Sequence, residues 1–347
     1  MSRFLIVLPE DTDQPILDAI GAARKTLRVK MFVLSDPVLL QALVSAHQRG
    51  VKVRVMLNPA RRSGEAENDE SRKFLTDAGI EVFDSNPAFD LTHEKSMIAD
   101  DHVAFVESLN WKAENFTETR DYAVVSTHRH EVEEIAECFE ADWNRKTFEP
   151  GPGSDLIWCS GHGRDRIAKF IDRANHSLFV QNERYQDAVI IERLVRANRR
   201  GVKVHIMARP PHTLKKEKLI EGVGGLRIMD DVGIKIHKLK HLKLHAKMLM
   251  ADGARAIIGS INLTPGSFDS RRELAIQVND DDILDRLHKI AHHDWENSRP
   301  MDLSDEGLLS DLENHKAEAI EALALKAKPH HGRHHREAAP SDRRSRR

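Results

Sequence analysis

Residues 91–110, LTHEKSMIADDHVAFVESLN, return as residues 243–262, KLHAKMLMADGARAIIGSIN, so that His93 and His245 stand 152 positions apart. Each stretch reads as an apolar strand bearing a histidine and a lysine two residues apart (His93 to Ala99; His245 to Ala251), then a polar turn, then a second strand (Ala104 to Val106; Ala256 to Ile258). A hairpin therefore carries each copy. Outward from it the repeat widens until it takes in most of the chain, which makes it the decisive architectural signal. Arg49-Gly50-Val51-Lys52-Val53-Arg54-Val55-Met56 reappears as Arg200-Gly201-Val202-Lys203-Val204-His205-Ile206-Met207, and Asp77-Ala78-Gly79-Ile80 as Asp231-Val232-Gly233-Ile234. Asn110, Phe116, Arg120 and Trp143 match Asn262, Phe268, Arg272 and Trp295.

Each copy reads as a helix (Ile16 to Lys25; Ile167 to Ala174), a strand (Leu27 to Leu34; Leu178 to Tyr185) and a second helix (Val38 to Arg49; Val189 to Arg200). A strand follows Gly50 or Gly201, then a short helix near Ser71 or Leu219 and a strand at Ile80 or Ile234. Strands alternating with helices predict an α/β fold. The halves are expected at residues 1–149 and 155–300, joined by a Pro/Gly linker at 150–154 that has little to bury. A helix is expected over 301–328, and a disordered His/Arg-rich basic tail over 329–347.

With 53 Lys and Arg against 55 Asp and Glu, the net charge of −2 argues against a strongly basic, constitutive nucleic-acid binder. No apolar run is long enough to span a bilayer, and Phe4 to Leu8 runs at once into Pro9-Glu10-Asp11, so it reads as a buried first strand. The expectation is a cytoplasmic protein whose membrane contact, if any, is peripheral. Cys138 and Cys159 lack metal-ligand spacing and read as buried thiols.

Side chains two apart on a strand project to one side, so His93 with Lys95, and His245 with Lys247, pair an imidazole with an ammonium. Asp100 and Asp252, at the hairpin turns and of opposite parity, are expected to brace the turns. Ser108, Asn110, Ser260 and Asn262 offer hydroxyls and amides to phosphoryl oxygens. Displacing an alcohol from a phosphodiester needs a nucleophile, a proton for the alkoxide and positive charge around phosphorus, and these residues supply all three without a metal or other cofactor. Asp121 and Glu273, each 28 positions after its histidine, are the candidates to hold the imidazole tautomers.

This pattern, HxKxxxxD followed by six residues and GSxN, resembles the phospholipase D superfamily. The second copy matches at every fixed position, whereas the first has Glu107 where glycine is expected. The resemblance covers about residues 4–299 and implies two pseudo-symmetric α/β/α sandwich halves packed together with one active site at their interface. It also implies His93 as nucleophile, His245 as general acid, and hydrolysis of phospholipids or transfer of phosphatidyl groups, including transfer of the cardiolipin-synthase type. Nucleic-acid cleavage and a silent anion-binding scaffold are the alternatives. No oligomer is needed to complete such a site.

Four further features stand beside the motifs. Gln181 to Tyr185 is polar where its counterpart, Met31 to Ser35, is apolar, which suggests one polar and one apolar wall. His237, His241 and Lys243 read as a solvated edge. Lys215, Lys216 and Lys218, with Gly222, Gly224 and Gly225, read as a mobile flap or an exposed helix end. Leu308, Leu309, Leu312, Ile320, Leu323 and Leu325 are expected to pack the last helix on the body.

Overall fold

The computed structural model describes residues 2–60, 64, 66–151, 153–213 and 219–326. The predicted flap lysines and the basic tail lie outside them. The first half runs β1 (Arg3–Leu8), α1 (Gln14–Ala22), β2 (Thr26–Met31), α2 (Pro37–Gln48), β3 (Lys52–Leu57), α3 (Asp69–Asp77), β4 (Glu81–Asp84) and β5 (Leu91–Thr92). It continues through β6 (Ser96–Ala99), β7 (Val103–Glu107), α4 (Ala113–Thr117), β8 (Thr119–Ser126) and α5 (Arg129–Trp143). The second half repeats this order as β9 (Leu156–Cys159), α6 (Gly163–Asp172), β10 (Ser177–Gln181), α7 (Ala188–Arg199), β11 (Lys203–Met207), α8 (Leu219–Asp230), β12 (Lys235–Leu239) and β13 (Lys243–Leu244). Then come β14 (Met248–Ala251), β15 (Arg255–Gly259), α9 (Pro265–Asp269), β16 (Arg271–Val278), α10 (Asp281–Glu296), β17 (Ser298–Pro300) and α11 (Asp305–Lys326).

The duplicated RGVKV segments have a local reason. Asp36 caps α2 by accepting from the Val38 and Leu39 amides at 2.9 and 3.0 Å, and Asp187 caps α7 through the Ile190 amide at 3.1 Å. Gly50 and Gly201 end those helices at φ +92°, a left-handed position that glycine takes without strain, and the chain turns directly into β3 or β11.

The two sheets have the same strand order, β1-β8-β7-β6-β2-β3-β4 and β9-β16-β15-β14-β10-β11-β12, the second extended by β17. The β2–β3–β4 and β10–β11–β12 pairs are parallel and the others in this path antiparallel. Alternation sorts the side chains. In β7, Phe105 joins Leu39, Leu43 and Leu75 in a core beneath the outer helices, whereas Ala104 and Val106 face the other way. Their core takes in both halves: Val124 and Phe139 of the first pack with Trp158, Ile258, Leu274 and Leu287 of the second. The described residues up to Leu303 accordingly form one compact unit, and those from Ser304, with α11, form another. Among the described residues no helix is long and apolar enough to cross a membrane. Cys138 and Cys159 are buried and free.

Among the described residues, two buried arginine–aspartate clasps cross between the halves. Arg120 clasps Asp294 through Nε and Nη2, both at 2.9 Å, and its repeat counterpart Arg272 clasps Asp142 at 3.0 and 2.9 Å. Lys30 sits beside the second clasp, its ammonium 2.9 Å from Glu94 and 2.8 Å from Asp142. Glu94, Cys138 and Asp142 approach one another as metal ligands would, but the ammonium occupies the place of the cation.

Candidate active site

The histidine and lysine of each motif do not sit inside one long strand, as the periodicity predicts. They lie in the short segment between β5 and β6, or between β13 and β14. The reason is an exchange between halves: β5 pairs with β16 of the second half, and β13 with β8 of the first. The His93 and Glu94 amides both donate to the Arg272 carbonyl at 2.9 Å, and those of His245 and Ala246 donate to the Arg120 carbonyl at 3.2 and 2.8 Å. Each motif is pinned to the opposite sheet, beside an arginine that the cross-half clasp holds in place.

The residue after each arginine is the acid. His93 Nδ1 lies 2.9 Å from Glu273 Oε2 and 3.2 Å from the Ser260 carbonyl, and His245 Nδ1 lies 2.8 and 3.0 Å from the two oxygens of Asp121. Both expected acids meet a histidine, but each serves that of the other half. Lys95, buried, donates to the His93 carbonyl at 2.5 Å, and Lys247 to the His245 carbonyl. Phe32 lies edge-on to His93 at 4.9 Å, with the Lys95 ammonium 5.3 Å from the same ring, so these two side chains share a surface.

The electrostatics of the two halves differ. Burial, then the Lys95 and Lys247 ammoniums, holds the His93 pKa well below the usual value of 6.5. Burial and Lys247 also push Lys95 down to about 7, despite the nearby carboxylates. Burial raises Glu273. For Asp121 burial acts in the same direction, yet the adjacent His245 and Lys247 outweigh it and hold the carboxyl low. The Lys247 ammonium of the second motif thus lowers the pKa of both His93 and Lys95 of the first.

The serines are not where the spacing suggested. Ser108 Oγ donates to Asp121 at 2.6 Å and accepts from the Tyr122 amide, while Ser260 Oγ donates to Glu273 at 2.7 Å and accepts from the Leu274 amide. Each hydroxyl proton is committed to an acid, because both serines follow the ends of β7 and β15, where they face the acids of the neighbouring strand. Asn110 and Asn262 are buried, and the Oδ1 of each is without a protein hydrogen-bond partner.

Glu107 has an accommodation of its own. In the second half a Cβ on Gly259 would lie 2.3 Å from the Leu274 carbonyl, so glycine is required there. In the first half the Glu107 carboxyl instead accepts from Trp111 Nε1 at 2.8 Å, and burial pushes its pKa up to about 8. It is mostly uncharged at neutral pH and does not set a carboxylate against an anion.

Asp100 and Asp252 occupy the hairpin turns at φ +53° and +56°. Asp100 accepts from the amides of Arg24, Lys25 and Thr26 at 2.8, 2.6 and 2.8 Å, and Asp252 from those of Asn175, His176 and Ser177 at 3.0, 2.8 and 2.9 Å. Burial opposes ionisation, but the three amides prevail and lower both pKa values. Asp252→Ala should therefore cost about 1–3 kcal/mol at pH 7 in urea unfolding. A carboxyl with a depressed folded-state pKa stabilises above its unfolded value, so the deficit should shrink as pH falls below about 3.9. A deficit that stays constant down to pH 2 would contradict this account.

The polar wall predicted over Gln181–Tyr185 resolves into separate roles. Gln181 accepts from the Tyr122 hydroxyl and donates to Asp294, Asn182 donates to the Ile261 carbonyl, and Tyr185 donates to the Met207 carbonyl. Glu183 alone among these touches the motif, with Oε1 2.5 Å from Lys247 Nζ and 3.3 Å from His245 Nε2, and Oε2 3.1 Å from Arg209. The sequence signal was present, one position out of the expected register: the strand pairings match Lys30 with Gln181 and not Met31, so Glu183 stands at the place of Phe32 of the first half, and Arg209 at that of Asn58. Outside the motif, His237 is no solvated edge, since it stacks on Trp295 at 3.8 Å and bonds Ser298. Lys243 is exposed and paired with Glu118.

Two half-sites, each with its imidazole oriented by the opposite half, define a phospholipase D-like phosphodiesterase with both motifs in one chain. The chain belongs to the family described as cardiolipin synthase, PLD-like domain, whose model matches residues 16–143 and again 167–295. It is 27% identical to cardiolipin synthase B of Salmonella typhi over 325 residues, covering 79% of this chain and 76% of that one. Mitochondrial cardiolipin hydrolase of Homo sapiens is 33% identical over 136 residues, 39% of this chain and 51% of that one. Phosphatidylserine synthase of Haemophilus influenzae shares the fold, with a TM-score of 0.68 at 12% identity, covering 93% of this chain and 94% of that one.

Proposed function

We propose that this protein hydrolyses or exchanges phosphodiester bonds of phospholipids through a covalent phosphohistidine. The observation that carries the reading is the pair of imidazoles, each held at Nδ1 by a carboxylate of the opposite half, with two buried lysines beside them. With Nδ1–H held by Glu273, His93 presents the Nε2 lone pair, which forms a bond to phosphorus as the bond to the leaving oxygen breaks. That oxygen takes the proton of His245 Nε2. An incoming water or alcohol then returns a proton to His245 as its oxygen displaces His93, so water gives hydrolysis and an alcohol gives transfer. Lys95, Lys247, Asn110 and Asn262 are assigned to the phosphoryl oxygens. Ser108 and Ser260 fix the acids.

Similarity to cardiolipin synthase B over most of both chains supports a lipid substrate, met by peripheral contact with a bilayer. The test offers vesicles of phosphatidylglycerol or cardiolipin, with and without glycerol, beside single-stranded and duplex DNA and RNA, all in EDTA. Lipid turnover, with glycerol diverting product to a new phosphatidyl ester, is the expected result. Cleavage of nucleic acid with intact lipids would remove the lipid assignment but leave the chemistry, whereas an absolute requirement for a divalent ion would remove the chemistry.

A further inference from the structure

The two half-sites match almost residue for residue, and yet a phosphohistidine reaction needs them in opposite protonation states. His93 must offer a lone pair while His245 offers a proton. The motif residues do not supply this difference, since each histidine has one carboxylate at Nδ1 and one lysine beside it. The asymmetry lies in the residue at the end of β2 or β10 that faces the ring.

In the second half that residue is Glu183. His245 is bracketed by acceptor-only groups: the Asp121 carboxylate meets Nδ1 at 2.8 Å, and an oxygen of the Glu183 carboxylate lies 3.3 Å from Nε2, so a proton placed on Nε2 faces a negative charge. In the first half the equivalent residue is Phe32, whose ring edge meets His93 and accepts no hydrogen bond from Nε2. Among the described residues no side chain engages His93 Nε2. Arg209 holds the far oxygen of Glu183, so the carboxylate stays anchored when Lys247 turns to a phosphoryl oxygen. Asn58, at the place of Arg209 in the first half, instead donates to the Ala60 carbonyl and accepts from the Thr92 amide.

We propose that Glu183 is the positioning residue that decides which histidine attacks phosphorus: its carboxylate, facing Nε2 of His245, favours a proton on that nitrogen, and Phe32 at the matching position leaves the lone pair to His93. This rests on the phosphohistidine reading above. It gives the order of the two histidines a cause within this chain, in a pair of residues outside the HxK motifs.

The test uses bis(p-nitrophenyl) phosphate, whose leaving group departs without a proton, so either histidine can form an adduct if it holds a lone pair. The full-length chain is mixed with it, quenched by alkaline denaturation, and the modified histidine located by mass spectrometry. The adduct is expected on His93 in the wild type. In Glu183→Gln, which keeps shape and removes charge, the share on His245 should rise by about tenfold or more, the worth of one hydrogen bond to an ionised group. In the double variant Phe32→Glu with Glu183→Phe the adduct should move mainly to His245. The ratio between two sites of one molecule does not depend on how much protein is folded, so a merely structural role for Glu183 would leave it unmoved. A His93 adduct at the same ratio in Glu183→Gln overturns this inference alone, and no adduct on either histidine in the wild type overturns the covalent reading along with it.

Discussion

His93→Ala is expected to abolish turnover on alkyl phosphodiesters and on p-nitrophenyl esters alike, by more than about 10⁴-fold. In the adduct-forming step His245→Ala should lose about 10²–10⁴-fold on the alkyl ester only, because general acid catalysis matters where the leaving alkoxide is basic. On the p-nitrophenyl ester it should still release a burst of about one p-nitrophenolate per chain and then stall, with the adduct awaiting a base for the incoming water. A burst from His93→Ala and none from His245→Ala would reverse the two roles, and steady turnover in both would remove the histidines from the chemistry. The pH profile of kcat/KM follows from the same site. Neutral His93 is required, and its pKa lies well below 6.5, so the acid limb should fall below that pH. The alkaline limb should begin near 7, where Lys95 gives up the proton that attracts the phosphate. Loss of activity between pH 6.5 and 7.5 on acidification, instead of on the alkaline side, would contradict this assignment.

Asp142→Ala should be the most destabilising single change in the body of the protein. It removes the shared partner of Lys30 and Arg272, leaving the buried Arg272 guanidinium without its carboxylate and Lys30 with Glu94 alone, at about 3–5 kcal/mol. Burial alone would raise the Asp142 carboxyl, yet Lys30 and Arg272 hold it at about 2, so the clasp should survive acidification through the usual carboxylate range and weaken only near pH 2. The carbonyl of Arg272 receives the His93 and Glu94 amides, so turnover should fall at temperatures where the variant is still folded. Urea unfolding followed by tryptophan fluorescence, with turnover measured alongside, tests both statements. A loss under about 1 kcal/mol would show that the clasp does not hold the halves together.

Much of this protein is legible before folding is considered. The duplicated hairpins, the RGVKV strands and the turn-bracing aspartates all follow from local rules: period-two alternation, helix caps and turn chemistry act over a few residues and leave a direct trace in the order of side chains. The same rules also locate both acids, Asp121 and Glu273. They do not say whom those acids serve, because periodicity reports the face on which a residue lies and not the surface that meets it. His93 and Glu273 are 180 positions apart and His245 and Asp121 are 124, and only the exchange of β5 and β13 between sheets brings them into contact. Ser108 and Ser260 meet the acids within their own halves, across the β7–β8 and β15–β16 pairings, and the cross-half clasps of Arg120 and Arg272 settle the exchange in place. Glu183 belongs to the same class: its replacement of Phe32 is visible in the repeat, but its position against His245 and Lys247 is set by the packing of β10 beside β14, a contact between strands that the linear order keeps apart.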